Sequence, residues 1–164
     1  MKTIYFVRHA KSSWDDPALS DHDRPLNARG KRDALFMGKK LLQLGWIPEK
    51  IISSTAKRAK KTAKKINKSL NAGKIELNKN LYLASPQTIF SVLRRQPEDT
   101  DRVMIVAHNP AMTEIINYFS KDFIPNVPTA GIFRVDFNID DWAQINFQNG
   151  KLIDFIYPKM FPNE

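Results

Sequence analysis

The chain has 164 residues and 18.9 kDa, 42% of them hydrophobic and 26% charged, a balance that supports one substantial core and excludes a disordered chain. No apolar run approaches the ~18 residues of a membrane span, the apolar stretch before Arg8 is shorter than the ~7 of a signal-peptide core, and the lack of cysteine excludes disulfide scaffolds, thiolate metal sites and cysteine nucleophiles. The net charge of +9 lies wholly between Lys50 and Ile75, where nine basic residues meet no acid; elsewhere 17 basic residues face 17 acidic ones. The expectation is a single domain over residues 1–164, located in the cytoplasm, with no membrane partner.

Thr3–Arg8 is short and nearly continuously apolar, which predicts a strand buried on both faces. Asp15–Arg24 is polar, holds Pro17 and reads as a loop. Asn27 caps a predicted helix to about Leu44, with Ala34, Met37, Gly38 and Leu41 on one face and Gly45 closing it. Lys50–Ser53 is a short strand. A helix over about Ala56–Leu70 carries Ala59, Ala63, Ile66 and Leu70 as one stripe. Lys74–Leu77 is a weak strand and Pro86–Arg95 a helix. Arg102–Ala107 is a second buried strand, followed by a helix over Pro110–Phe119 with Asn109 as its cap and Pro110 at its first position. Phe123–Pro128 is a loop. Ile132–Phe137, Trp142–Phe147 and Leu152–Tyr157 are predicted strands, with Asn149-Gly150 as a hairpin turn between the last two. Strands and helices in alternation predict a three-layer α/β/α fold, with a mostly parallel central sheet and antiparallel strands at one end.

Two of the three histidines, His9 and His108, directly follow the two buried strands. In open α/β sheets the carboxyl ends of strands face the ligand crevice. Arg8 and Arg58 add guanidiniums, and a helix start beside His108 favours an anion. The convergence of these groups is a phosphate site. No G-x-x-x-x-G-K-[ST] loop is present, and no G-x-G-x-x-G follows the first strand, so nucleotide and dinucleotide cradles are not expected.

Val7-Arg8-His9-Ala10-Lys11-Ser12 resembles the R-H-G signature of the histidine phosphatase (phosphoglycerate-mutase-like) superfamily, with Ala10 in place of the glycine. Asp23-Arg24-Pro25-Leu26 with Asn27 and Gly30 is similar to its D-R-P-L-[TN]-x-x-G segment. Ser54-Thr55-Ala56-Lys57-Arg58-Ala59 with Thr62-Ala63 resembles its S-P-x-x-R-A-x-x-T-A segment, with Thr55 replacing the proline. Ala107-His108-Asn109-Pro110 and Thr129-Ala130-Gly131 resemble two later segments. The short chain, D-R-P-L and T-A-G point to the SixA-like phosphohistidine phosphatases, and the likeness spans about residues 3–137.

The resemblance implies a phosphoglycerate-mutase-like fold and a two-step phosphoryl transfer without metal or cofactor. His9 would be the nucleophile, and Arg8, Arg58 and His108 would hold the phosphoryl oxygens, as they would a phosphate or sulfate ion. The residue types suit the task, since phosphoryl transfer needs positioning and charge compensation, and guanidiniums offer forked donors. Ser12 either donates to phosphate or caps a turn. Asn109 binds phosphate or only caps its helix, Gly131 lines the site or only permits a tight turn, and Arg24 lines the crevice mouth or pairs with a neighbouring aspartate.

Many relatives carry a glutamate after the arginine-bearing helix as general acid. Asn78–Gln87 holds no carboxylate, and Glu76 falls inside a predicted strand, which leaves Asp15, Asp16, Asp21 and Asp23 of the first loop as candidates. An alkoxide leaving group needs a proton that contributes about 10²–10⁴-fold. A phosphoimidazole can be protonated beforehand. The missing acid therefore favours phosphohistidine in a protein as substrate, with a small phosphoester as the alternative, and argues against mutase chemistry. Asp21-His22-Asp23 is too local to converge on a metal. A third reading is a non-catalytic binder of anionic partners through the Lys57–Lys68 face. Residues 53–74 contain no aromatic, so nucleic acid is not expected there.

Overall fold

Ile4 and Phe6 of strand β1 (Lys2–Arg8) face one side of the sheet, and Tyr5 and Val7 face the other; all four are buried. Helices cover both sides, which is why the strand is continuously apolar. The computed structural model describes residues 1–162. Helix α1 (Ala28–Leu44) and helix α2 (Lys57–Leu70) pack on Tyr5 and Val7 through Ala34, Met37, Leu41, Ala59, Ala63 and Ile66. Helix α3 (Pro86–Arg94) and helix α4 (Ala111–Phe119) pack on Ile4 and Phe6 through Ile89, Phe90, Met112 and Ile115.

Between the helices lie strands β2 (Lys50–Ser53), β3 (Ile75–Leu77), β4 (Arg102–Ala107), β5 (Ile132–Phe137) and β6 (Gly150–Ile156). The six-stranded sheet has the order β3-β2-β4-β1-β5-β6. The first four strands are parallel, while β5 runs antiparallel to β1 and β6 antiparallel to β5. This is the three-layer architecture expected from the sequence. Among the described residues no helix is long and apolar enough to cross a membrane.

Three expectations need correction. Trp142–Phe147 forms no strand: Trp142–Gln144 is a 3-10 turn followed by irregular chain. Trp142 is fully buried and donates from Nε1 to the Thr100 carbonyl at 2.7 Å, and Ile145 three residues on enters the same core. That spacing suits a helical turn and defeats strand alternation, and Asp141 with Gln144 closes a capping box around it. Asn149-Gly150 accordingly makes no hairpin turn. Gly150 begins β6, which pairs with β5 across the long connection, and the Asn149 side chain donates to the Gln144 carbonyl. In α4, Pro110 stands at the cap position and the helix starts one residue later than expected, yet Asn109 Oδ1 still accepts from the Thr113 backbone N–H at 3.1 Å.

Candidate active site

Parallel register brings the two histidines together. Arg8 of β1 lies opposite Ala107 of β4, so the next residues, His9 and His108, emerge side by side at the carboxyl ends of adjacent strands. The His9 N–H donates to the Ala107 carbonyl at 3.0 Å, and the ring centroids are 5.1 Å apart. On the other side of β4, Ser54 continues β2 and its hydroxyl meets His108 Nε2 at 2.8 Å. The first turn of α2 then carries Arg58 into the same space, with its Nε 3.4 Å from His9 Nε2. His9, Arg58 and His108 are all buried.

The His9 ring is oriented by its neighbours. Nδ1 lies 2.8 Å from the Ala10 carbonyl, which can only accept, so Nδ1 carries the proton and Nε2 is the bare nitrogen turned to Arg58. Ala10 is held in turn by its N–H, which donates to Thr62 Oγ1 at 2.9 Å; that hydroxyl donates to the Arg58 carbonyl one turn back. The ring and the arginine helix are thereby tied together. Burial pushes the His9 imidazole down to about 3, opposed by its bond to Ala10 and reinforced by His108, Arg58 and Arg8. Burial likewise lowers His108 to about 3, with Arg58 and Arg8 adding to it and Asp21 opposing. His108 Nδ1 and Arg8 Nε are buried without a hydrogen-bond partner among the described residues, while Arg8 Nη1 donates to the Val127 carbonyl at 2.9 Å.

Asp21 is the carboxylate of this site. Its Oδ2 accepts from Arg58 Nη2 at 3.0 Å and from the Tyr82 hydroxyl at 2.6 Å, its Oδ1 accepts from Arg24 Nε at 3.2 Å, and its carbonyl accepts from Arg58 Nη1 at 2.6 Å. These bonds, led by that from Tyr82, pull its carboxyl down to about 2 despite partial burial. Such a group stays ionised and has no proton to give a leaving group. Glu76 lies in β3 beside Ile52, short of the strand ends, and is ion-paired with Lys50. Asp23 Oδ1 lies 3.7 Å from His22 Nδ1, and Asp16 accepts from the Ala18 N–H. Among the described residues no group of three or more His, Asp or Glu is arranged to hold a metal ion.

The other sequence candidates sit around this centre, engaged with protein atoms. Arg24 is buried, donates to Ser12 Oγ at 2.7 Å, pairs with Asp21 and lies 3.6 Å over the ring of Trp14. Asn109 uses both ends of its amide, donating to Asn126 and Val127 and accepting from Thr113. Gly131 gives its N–H to the Pro128 carbonyl and its carbonyl to the Arg8 N–H; a Cβ there would meet the Pro128 oxygen at 2.8 Å. Gly30 answers to close packing as well, because a Cβ would stand 2.0 Å from the Lys11 carbonyl oxygen just after the His9 turn.

Sequence reasoning missed Ser54, Thr62 and Tyr82 as individual contributors. Ser54 stands at a strand end like the histidines, and Thr62 lies one helical turn after Arg58, so both left a positional trace. Tyr82, which also sets its ring edge against His108 and His22, left none.

The model of the histidine phosphatase superfamily (branch 1) matches residues 4–82. A chloroplastic protein of Arabidopsis thaliana is 43% identical over 77 residues, covering 47% of this chain and 35% of its own, so the chain spans about a third of that relative. The solved structure assigned as the phosphohistidine phosphatase SixA of Agrobacterium tumefaciens is 28% identical, with a TM-score of 0.82 over 96% of this chain and 98% of that one. The protein histidine phosphatase SixA complexed with tungstate has the same fold, with a TM-score of 0.82 at 21% identity over 97% and 99% of the two chains. A chain whose first half matches the family in sequence, and which superposes over nearly its whole length on SixA structures, belongs to the histidine phosphatase superfamily, in its SixA-like branch.

Proposed function

We propose that this histidine phosphatase acts in the cytoplasm as a single domain over residues 1–164, removing the phosphoryl group from phosphohistidine in a protein through a phosphorylated His9 and without a metal ion. The observation that carries the reading is the His9 ring, whose Nδ1 is committed to the Ala10 carbonyl while the bare Nε2 faces Arg58.

In the first transfer the lone pair of His9 Nε2 attacks phosphorus in line. A P–N bond forms there, the P–N bond to the substrate breaks, and its electron pair stays on the departing imidazole. A substrate ring already protonated on its second nitrogen leaves neutral, so the enzyme needs no acid. This agrees with an ionised Asp21 and with the carboxylate-free segment 78–87. In the second transfer water attacks phosphorus, the bond to Nε2 breaks, and dihydrogen phosphate departs with both water protons. Arg8 and Arg58 compensate charge on the phosphoryl oxygens, and the orphaned His108 Nδ1 becomes a donor to them when the Ser54 hydroxyl donates to Nε2. Donation from Arg8 Nε would end the isolation of a second buried polar atom. Tungstate, bound by the SixA relative, is a tetrahedral oxyanion of the kind this cluster fits. Ser12, Arg24, Asn109 and Gly131 shape the pocket from behind these groups.

The test offers the wild type and His9→Ala a phosphohistidine-bearing protein and an alkyl phosphate, with and without a chelator. The expected result is chelator-insensitive turnover of the phosphoprotein, an acid-labile phosphoenzyme in the wild type, and neither in the variant. Turnover retained by His9→Ala removes the nucleophile. Preference for the alkyl ester moves the substrate class to small phosphoesters.

A further inference from the structure

Helix α2 turns Arg58 into the site and a row of lysines outward. Lys57, Lys64 and Lys68 are exposed and Lys61 and Lys65 partly so, and none of the five is ion-paired with a carboxylate among the described residues. Two clefts meet on this face. One, of about 390 Å³, lies between α1 and α2 and is lined by Lys31, Lys57, Lys61 and Lys65 over Pro25 and Leu26. The other, of about 480 Å³, holds Lys61, Lys64, Lys65 and Lys68 beside Ile75. Sharing Lys61 and Lys65, they form one cationic trough along the helix. Its upper end adjoins the site, because Lys57 precedes Arg58 and Pro25 follows the arginine that grips Asp21.

Like charges at this spacing oppose the helix. The Lys61 ammonium is lowered from its ordinary value, chiefly by Lys64, with Lys57, Lys60 and Lys65 adding to it. An anionic partner relieves that repulsion. At the same mouth Trp14 is 72% exposed while the Arg24 guanidinium lies over its ring, a pre-positioned aromatic of the type that anchors protein interfaces.

We propose that the lysine trough of α2 docks an acidic surface of the phosphoprotein substrate and delivers its phosphohistidine to the adjoining His9. This rests on the reading of the substrate as a protein. The trough recognises charge over a length of about 20 Å, the rise of a 14-residue helix. With no aromatic between residues 53 and 74, it lacks the stacking platforms of a single-strand nucleic-acid groove.

The experiment compares wild type with the double variant Lys61→Glu, Lys65→Glu on two substrates: an acidic phosphotransfer domain phosphorylated on histidine, and phosphoimidazole. Electrostatic steering changes encounter rates by about 10- to 1000-fold. The expected loss in kcat/KM on the protein is about 10- to 100-fold, carried by KM and matched in the wild type by a steep fall with salt. Phosphoimidazole turnover stays within about 2-fold, since neither lysine touches the site and surface substitutions of this kind are mild. Equal effects on both substrates, or none on the protein, overturn the docking surface. A single-stranded oligonucleotide bound at physiological salt and released by the charge reversal, with phosphoprotein kinetics unchanged, assigns the face to nucleic acid and overturns it too. Failure of the wild type on the phosphoprotein, with phosphoimidazole still hydrolysed, instead removes the reading on which the proposal rests.

Discussion

Asp21→Asn distinguishes a carboxylate that donates a proton from one that orients an arginine. With its carboxyl held at about 2, Asp21 is protonated in only about one molecule in 10⁵ at pH 7. Asparagine keeps the shape, removes the charge, and sets an amide against the Arg58, Arg24 and Tyr82 donors. Arg58 loses its 3.0 Å bond to Oδ2 but keeps the 2.6 Å bond to the Asp21 carbonyl. One of two tethers is lost, and the expected fall in kcat/KM is about 10-fold, equivalent to about 1.4 kcal/mol. It should be equal on phosphoimidazole and on an alkyl phosphate. The folded carboxyl lies below its unfolded value of 3.8, so its contribution to stability is present above that pH and is lost as pH falls through about 2. The bare shift corresponds to about 2 kcal/mol, but the side chain is 44% exposed and screening reduces this to about 1 kcal/mol. Urea titrations of the two proteins should differ by that amount at pH 7 and converge toward pH 2. A loss of about 10²–10⁴-fold confined to the alkyl ester would make Asp21 the acid and refute the argument.

Three further outcomes follow from the same geometry. His9 and His108 are held at about 3 when folded against 6.5 unfolded, so the stability they contribute is full above pH 6.5 and is lost as pH falls toward 3. Chemical denaturation of the wild type should lose about 1 kcal/mol per pH unit per histidine below pH 6, a slope that His9→Gln, His108→Gln flattens. Gly30→Ala places a methyl 2.0 Å from the Lys11 carbonyl oxygen, a backbone atom that cannot swing away, and should lower stability by at least about 2 kcal/mol in a thermal melt. Thr62→Val leaves the buried Ala10 N–H unpaired and should cost about 1–3 kcal/mol with reduced turnover, both restored by Thr62→Ser.

The layers of the fold, and the residues that gather at the candidate site, are legible in local sequence pattern. The runs at 3–8 and 102–107 are apolar throughout because each is buried on both faces, and that pattern is local enough to be read residue by residue. Their register as parallel neighbours then sets His9 and His108 side by side, and the stripe of α2 fixes which way Arg58 turns. Contacts between distant segments set what local pattern does not encode. Trp142 left its predicted strand because its indole found the Thr100 carbonyl and a place in the core, a burial worth more than strand alternation. The bare nitrogen of His9 depends on the path of the Ala10 carbonyl, which Thr62 holds from 52 residues away. Asp21 is kept ionised by Tyr82, 61 residues distant, and by Arg58. Periodicity records which side of an element is buried, whereas the partner a polar group meets there depends on how distant segments pack, and that packing set the protonation of the site.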